Sequence, residues 1–277
     1  MTKPKKRWVI KAGSNIVCSG GPLLVRAWMQ QVAQLRRKFG IEVIWVTSGA
    51  IASAVDRTEF KKRNRKLSEK QALSAIGQPL VMDLYNIALQ TSGLLGAQIL
   101  LTYSDLADPG RCENFHNTLE ELLSWGVVPV LNENDAVATE EIKFGDNDSL
   151  SAKVARVAEA DRLLILTDVA GLYDSDPNSN PNAQLIPRLK GVDAKLLRAL
   201  EGSSRSSSKK KNNRGTGGMY SKIRAAAEAS KSGTETWLVR GDVPSVLLHA
   251  AENHSVGTVI EAQKRKSQKK KRRRSSK

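Results

Sequence analysis

A chain of 277 residues with 40% hydrophobic side chains can bury a sizeable core, which excludes a disordered or low-complexity protein. No apolar run reaches the roughly 20 residues that cross a bilayer, and the opening MTKPKKRWVI has no apolar signal region, so a cytoplasmic protein is expected. The net charge of +16 is concentrated in KRKSQKKKRRRSSK (264–277) and SSRSSSKKKNNR (203–214), which leaves the body close to neutral and weakens any case for a polyanion-binding face there. In chain order, short β-branched runs predict strands at 7–13, 41–49, 97–102, 127–135, 162–168, 234–239 and 257–261. Between them, amphipathic patterns predict helices over 22–39, opening on Pro22, over 68–90, with Ser68 as N-cap and Pro79 kinking or dividing it, and over 149–160. An Ala-rich helix follows the glycines of GTGGM.

This alternation predicts an α/β fold, a three-layer αβα sandwich around a central, mostly parallel sheet. With no internal repeat and no Pro/Gly-rich linker, one domain is expected over 7–261, between a basic N-terminal extension (1–6) and a disordered basic tail (262–277). The segments 56–70 and 203–214 read as polar loops outside the rhythm, the second expected to stay mobile until a ligand binds. Cys18 and Cys112 are too far apart for a CxxC motif, and His116, His249 and His254 sit in surface or packing contexts; none is assigned chemistry.

In an open α/β sheet the ligand site lies at the carboxyl ends of the strands. Those ends are rich in small and polar residues: Lys11, Gly13 and Ser14; Ser48, Gly49 and Ala50; Asn132, Asn134 and Asp135; Thr167 and Asp168. Asp146, Asn147 and Asp148 fall between the last two groups. Singly, each has a plain structural explanation as a turn or helix cap. Lys11 does not, because a lysine inside a hydrophobic strand is costly without an anionic partner. TGGMYSK (216–222) supplies glycines ahead of a helix N-terminus, a suitable anion site, although it matches neither GxxxxGK[ST] nor GxGxxG. Two lysines flanking a transferring phosphoryl group, with an Asp/Asn cluster between them, make a kinase constellation.

Taken in order, VIKAGSN, VTSGAIA, QALSAIGQ, VVPVLNENDAVATEEIKFGDNDSLSA, LLILTDVAGLYDSDPNSNP and GTGGMYSK closely resemble the glutamate 5-kinases of the amino-acid kinase family, over residues 7 to about 261. The resemblance implies ATP-dependent phosphorylation of the γ-carboxylate of L-glutamate to L-glutamyl 5-phosphate, the first step of proline biosynthesis. It also implies that Lys11 and Lys222 hold the phosphates and stabilise the transition state while Asp148 orients them. Ser48, Gly49, Ala50, Asp135 and Asn147 would bind glutamate. Lys11, Thr167, Asp168, Thr216, Gly217, Gly218, Met219, Tyr220, Ser221 and Lys222 would bind ATP. Mg²⁺ is expected as a cofactor bridged by the nucleotide phosphates, with no metal ligand from the protein. A homo-oligomer, dimer or tetramer, and feedback inhibition by L-proline are expected from the same source. Many members carry a further C-terminal domain of the PUA type, which this chain is expected to lack, and 109–123 departs from the family pattern. Two alternatives remain open: another carboxylate or carbamate kinase of the family, or a nucleic-acid-binding protein using its basic tail and loops, which lack interleaved aromatics for base stacking.

Overall fold

The computed structural model describes residues 6–60, 65–138, 147–177, 179–207 and 218–263, with only the backbone described for 203–207. Its elements in chain order are β1 (Lys6–Ala12), α1 (Ser14–Phe39), β2 (Ile41–Val46), α2 (Ala50–Arg57), α3 (Leu67–Thr91), β3 (Gly96–Leu101), α4 (Tyr103–Ala107), α5 (Pro109–Ser124) and β4 (Val128–Glu133). There follow α6 (Asn147–Val157), β5 (Arg162–Thr167), β6 (Arg188–Leu189), α7 (Ala194–Ser207), α8 (Met219–Lys231), β7 (Glu235–Arg240), α9 (Val246–Ala251) and β8 (Thr258–Ile260).

The strands form one sheet in the order β3-β4-β2-β1-β5-β7-β8-β6, parallel throughout except for the antiparallel pair β7–β8. This is the expected mostly parallel sheet. Its centre explains why β1 and β5 read as near-continuous apolar runs rather than alternating ones: both faces are covered by helices. On one face α1, α3 and α9 enclose a core in which Trp45 lies between Trp28 and Tyr85, with ring centroids 5.6 and 5.9 Å apart. On the other, α5, α6 and α8 pack a core built on Val9, Ile44, Ile165 and Leu238.

Several local readings need correction. The helix expected over 22–39 does open on Pro22, but α1 also holds an unexpected earlier piece from Ser14, separated from it by the break at Gly21 (φ 56°, ψ −155°). Helix α3 continues through Pro79 from Leu67 to Thr91 undivided, held on both sides by buried residues: Leu73 and Gly77 before the proline, Val81, Met82 and Tyr85 after it. Its N-cap is Lys66, whose backbone N–H donates to Glu69 Oε2 at 2.8 Å, while Ser68 lies inside the first turn. The stretch 203–207, read as loop, is the last turn of α7, an amphipathic helix that packs Leu196, Leu197 and Leu200 against the second core. The expectation of mobility over 208–214 falls outside the described residues, as do the tail 264–277 and residues 1–5.

Candidate active site

The carboxyl ends of β1, β2, β4 and β5 meet the N-termini of α2, α6 and α8 on one rim of the sheet. Along β1 the side chains alternate between the two cores, and Lys11 falls on the side of α6. Its Nζ lies 2.5 Å from Asp148 Oδ1. The other carboxylate oxygen, Oδ2, faces Lys222 Nζ at 3.5 Å and accepts a hydrogen bond from Ser221 Oγ at 2.8 Å. All of these side chains are buried: Asp148 is 0% exposed, Lys11 4% and Lys222 8%.

Burial alone would raise the Asp148 carboxyl pKa, but the charges of Lys11 and Lys222 and the hydrogen bonds from Lys11 and Ser221 outweigh it and hold the value at about 2. Asp148 is therefore a fixed negative charge at every physiological pH. It cannot act as a base, but it can hold two cations on one side of a site. Asp148 occupies the first turn of α6, where a negative charge also suits the helix dipole.

Asn147, one residue earlier, joins the ends of β2 and β4. Its Nδ2 donates toward Thr47 O at 2.5 Å, Asn132 Oδ1 at 2.6 Å and Ser48 Oγ at 3.0 Å. Asn132 Nδ2 in turn donates to Gln78 Oε1 at 2.6 Å. This chain of amides fixes the orientation of Asn147: with Nδ2 committed to the protein, its Oδ1 is the atom left to receive a donor.

Ser48, Gly49 and Ala50 form the turn from β2 into α2, where Gly49 adopts φ 105°, a conformation that strains any residue with a side chain. The turn is pressed against α3 at Gly77, where an added Cβ would collide with the carbonyl oxygen of Ala50. Asp135 lies just past β4. It accepts a hydrogen bond from Ser74 Oγ at 3.3 Å, and burial pushes its carboxyl pKa up against that bond. Asp135 and Ser74 line a cavity of about 410 Å³ that also takes in Gln78, Met82, Gln98 and Leu100, but not Ser48 or Asn147.

At the end of β5, Thr167 Oγ1 donates to Asp168 Oδ1 at 3.1 Å; Thr167 is buried and Asp168 exposed. Gly218 caps α8, and Met219, Tyr220, Ser221 and Lys222 form its first turn. Thr216 and Gly217 lie outside the described residues. The structure thus brings Lys11, Asp148, Ser221 and Lys222 into one cluster and Ser48 and Asn147 into another, joined by the adjacency of Asn147 and Asp148. Asp135 is tied to α3 instead.

Ser74 and Gln78, which contact Asp135 and Asn132, are not singled out by the sequence. Their signal was available: two polar residues four apart on the helical face that carries Leu73, Val81 and Tyr85 inward. Ser221, expected among the nucleotide-binding residues, directs its hydroxyl to Asp148 and Gly218 O in this structure. Among the described residues no group of three or more His, Cys, Asp or Glu side chains is arranged to hold a metal ion, and no helix is long and apolar enough to cross a membrane.

Comparison with known proteins gives a match to the model of the amino acid kinase family over residues 6–240. The chain is 45% identical over 259 residues to the glutamate 5-kinase of Trichlorobacter lovleyi, covering 92% of this chain and 67% of that protein. It is 43% identical over 267 residues to the glutamate 5-kinase of Polaromonas naphthalenivorans, covering 95% and 68% respectively. For the glutamate 5-kinase of Geobacter sulfurreducens the identity is 44% over 259 residues, covering 92% and 67%.

Proposed function

The chain belongs to the amino acid kinase family, and from that premise we propose that it transfers the γ-phosphoryl group of ATP to the side-chain carboxylate of L-glutamate. The products are L-glutamyl 5-phosphate and ADP, and the reaction is the first step of proline biosynthesis. The relatives named above are glutamate 5-kinases, and the observation that carries the reading here is Asp148 held between Lys11 and Lys222.

One glutamate carboxylate oxygen forms a bond to the γ-phosphorus while the bond from that phosphorus to the β,γ-bridging oxygen breaks, and ADP leaves with the electron pair. A side-chain carboxyl with an ordinary pKa of about 4.3 is already ionised at neutral pH, so the nucleophile requires no general base. The difficulty is electrostatic, since an anion must approach an anion. Lys11 and Lys222 meet it from two directions, and Asp148 keeps them in place before substrate arrives, so little reorganisation remains for the transition state.

Ser48, Gly49, Ala50 and Asn147 bind glutamate at the β2 turn, and Asp135 attracts its ammonium group. Thr167, Asp168 and the segment from Thr216 to Lys222 bind ATP. Both oxygens of Asp148 already face ammonium groups, which suits a magnesium ion that arrives with ATP and neutralises its phosphate oxygens rather than one held by this carboxylate. A cytoplasmic location belongs to the same reading, since both substrates are plentiful there. Assembly as a homo-oligomer has support in the apolar surface that α3 and the edge strand β3 leave uncovered, with Ile76, Ile87, Leu95 and Leu100 exposed. Inhibition by L-proline in competition with glutamate belongs to the same reading.

The test is ADP release with L-glutamate, L-aspartate, N-acetylglutamate and carbamate compared side by side. Turnover with glutamate well above the other three is expected. Preference for any of the others would replace the substrate while keeping the family.

A further inference from the structure

The row of side chains that carries Lys11 continues across the sheet. On β5, Leu163 and Ile165 face the α6–α8 core while Leu164 and Leu166 face the other, which puts Thr167 on the α6–α8 side. On β7, Leu238 faces the α6–α8 core and Trp237 and Val239 face away, which puts Arg240 on that same side. Arg240 is the register partner of Thr167. It is the last residue of its strand, half exposed, and close enough to Asp168 to feel its charge.

Two strand spacings, about 10 Å, separate β1 from β7. Arg240 also stands two register positions nearer the strand ends than Lys11, whose partner Ile165 pairs with Leu238. A nucleotide whose γ-phosphate lies at Lys11 and Lys222 and which runs over Thr167 would bring its inner phosphates toward this arginine. The guanidinium is already oriented: Nε donates to Asp242 Oδ1 at 2.7 Å and Nη2 to Asp242 Oδ2 at 3.0 Å, which leaves Nη1 and its two hydrogens to point elsewhere.

We propose that Arg240 is a further nucleotide-binding residue, which contacts the non-transferred phosphates of ATP through Nη1 while Asp242 aims it. The proposal rests on the assignment of ATP to the rim formed by β5 and α8. Arg240 touches no transferring atom, so its effect belongs to binding rather than to the chemical step.

The experiment is titration of ADP into the full chain and its variants by calorimetry, with steady-state turnover alongside. Arg240→Ala is expected to weaken ADP binding about tenfold and raise the KM for ATP similarly, with kcat and the KM for glutamate unchanged. Arg240→Lys should recover part of the loss. Asp242→Asn, which frees the arginine without removing it, should cost much less than Arg240→Ala. Unchanged ADP affinity in Arg240→Ala would overturn the proposal. So would an Asp242→Asn variant as impaired as Arg240→Ala, because the pair would then be holding the 240–246 turn rather than a ligand. A wild-type chain that binds ADP but ignores glutamate would instead defeat the substrate assignment and leave the role of Arg240 standing.

Discussion

Ser221 donates its hydroxyl hydrogen to Asp148 across 73 positions of sequence, and the next residue, Lys222, reaches the same carboxylate oxygen. The first turn of α8 is thereby fastened to the first turn of α6 by two consecutive side chains, one neutral and one charged. The neutral bond sets the distance at which the charged one works.

Asp148→Asn is expected to lower kcat by a factor of about 100 to 1,000, because both ammonium groups lose their anchor and repel each other. Ser221→Ala should cost less, about tenfold or below, since Lys11 still holds the carboxylate. The acid limb of stability supplies a second readout. Asp148 has a folded pKa of about 2, below its ordinary value of 3.8, so its contribution is fully present above pH 4 and is lost as pH falls through 2. A shift of that size corresponds to on the order of 2 kcal/mol. Urea melts between pH 2 and pH 5 should show a shallower decline for Asp148→Asn than for the wild type.

For Asp135 the sign is opposite. Burial raises its folded pKa, so ionising it costs stability, and that cost disappears as pH falls through the raised value. If it receives the ammonium group of glutamate, kcat/KM for glutamate should fall with pH through a value above 3.8. Asp135→Asn should raise the KM for glutamate about tenfold or more, reduce that pH dependence to the part set by the substrate's own carboxyl, and leave the KM for ATP unchanged. An unchanged KM for glutamate in this variant would remove Asp135 from the role.

Gly77→Ala places a methyl group against the carbonyl of Ala50. Overpacking of this kind costs about 1–3 kcal/mol. Because Ala50 opens α2 directly after Ser48 and Gly49, the strain should reach the turn proposed to bind glutamate. The expected result is a lower melting temperature together with a raised KM for glutamate, measured by thermal scanning and steady-state kinetics.

Arg162 offers a control at the opposite end of the sheet. It starts β5, with its guanidinium 4.9 Å from the ring centroid of Trp8 and 4.4 Å from that of Trp237, and it pairs with Glu235 at 3.0 Å. Arg162→Ala should lower stability by about 1–3 kcal/mol through lost stacking and the lost ion pair, which leaves Glu235 with the indole N–H of Trp237 as a partner. The folded fraction should keep wild-type kcat and KM values, since Arg162 lies at the amino end of its strand and the site at the carboxyl end.

Lys11 was legible in the sequence because a lone ammonium group in an apolar strand has one inexpensive explanation, an anion beside it. Asp148 was legible only in company. Alone, an aspartate opening a helix reads as a cap, and its partners lie far along the chain in both directions. Ser221 could be placed near the site but not oriented, because a hydroxyl in a glycine-led turn can face ligand, backbone or side chain with equal chemical ease. The failures in the fold have the same character. Strand β6 has two residues and exists because β8 offers it an edge, and α3 keeps its helical backbone at Pro79 because the flanking turns are buried. Contacts distant in sequence decide such features, and periodicity does not encode them.

The carboxylate at 148 also orders events in time. Synthesised from its amino end, the chain completes β1 long before α6 exists, so Lys11 has no Asp148 to meet until α6 has been made. The neighbour of β1 on that side, β5, comes later still, and Lys222 follows it. No nascent intermediate that ends before α8 therefore holds both cations over one anion. A chain that displays the pair has already joined β1 to β5 and seated α8, so the two-lysine arrangement reports on contacts between the first and the last third of residues 6–231.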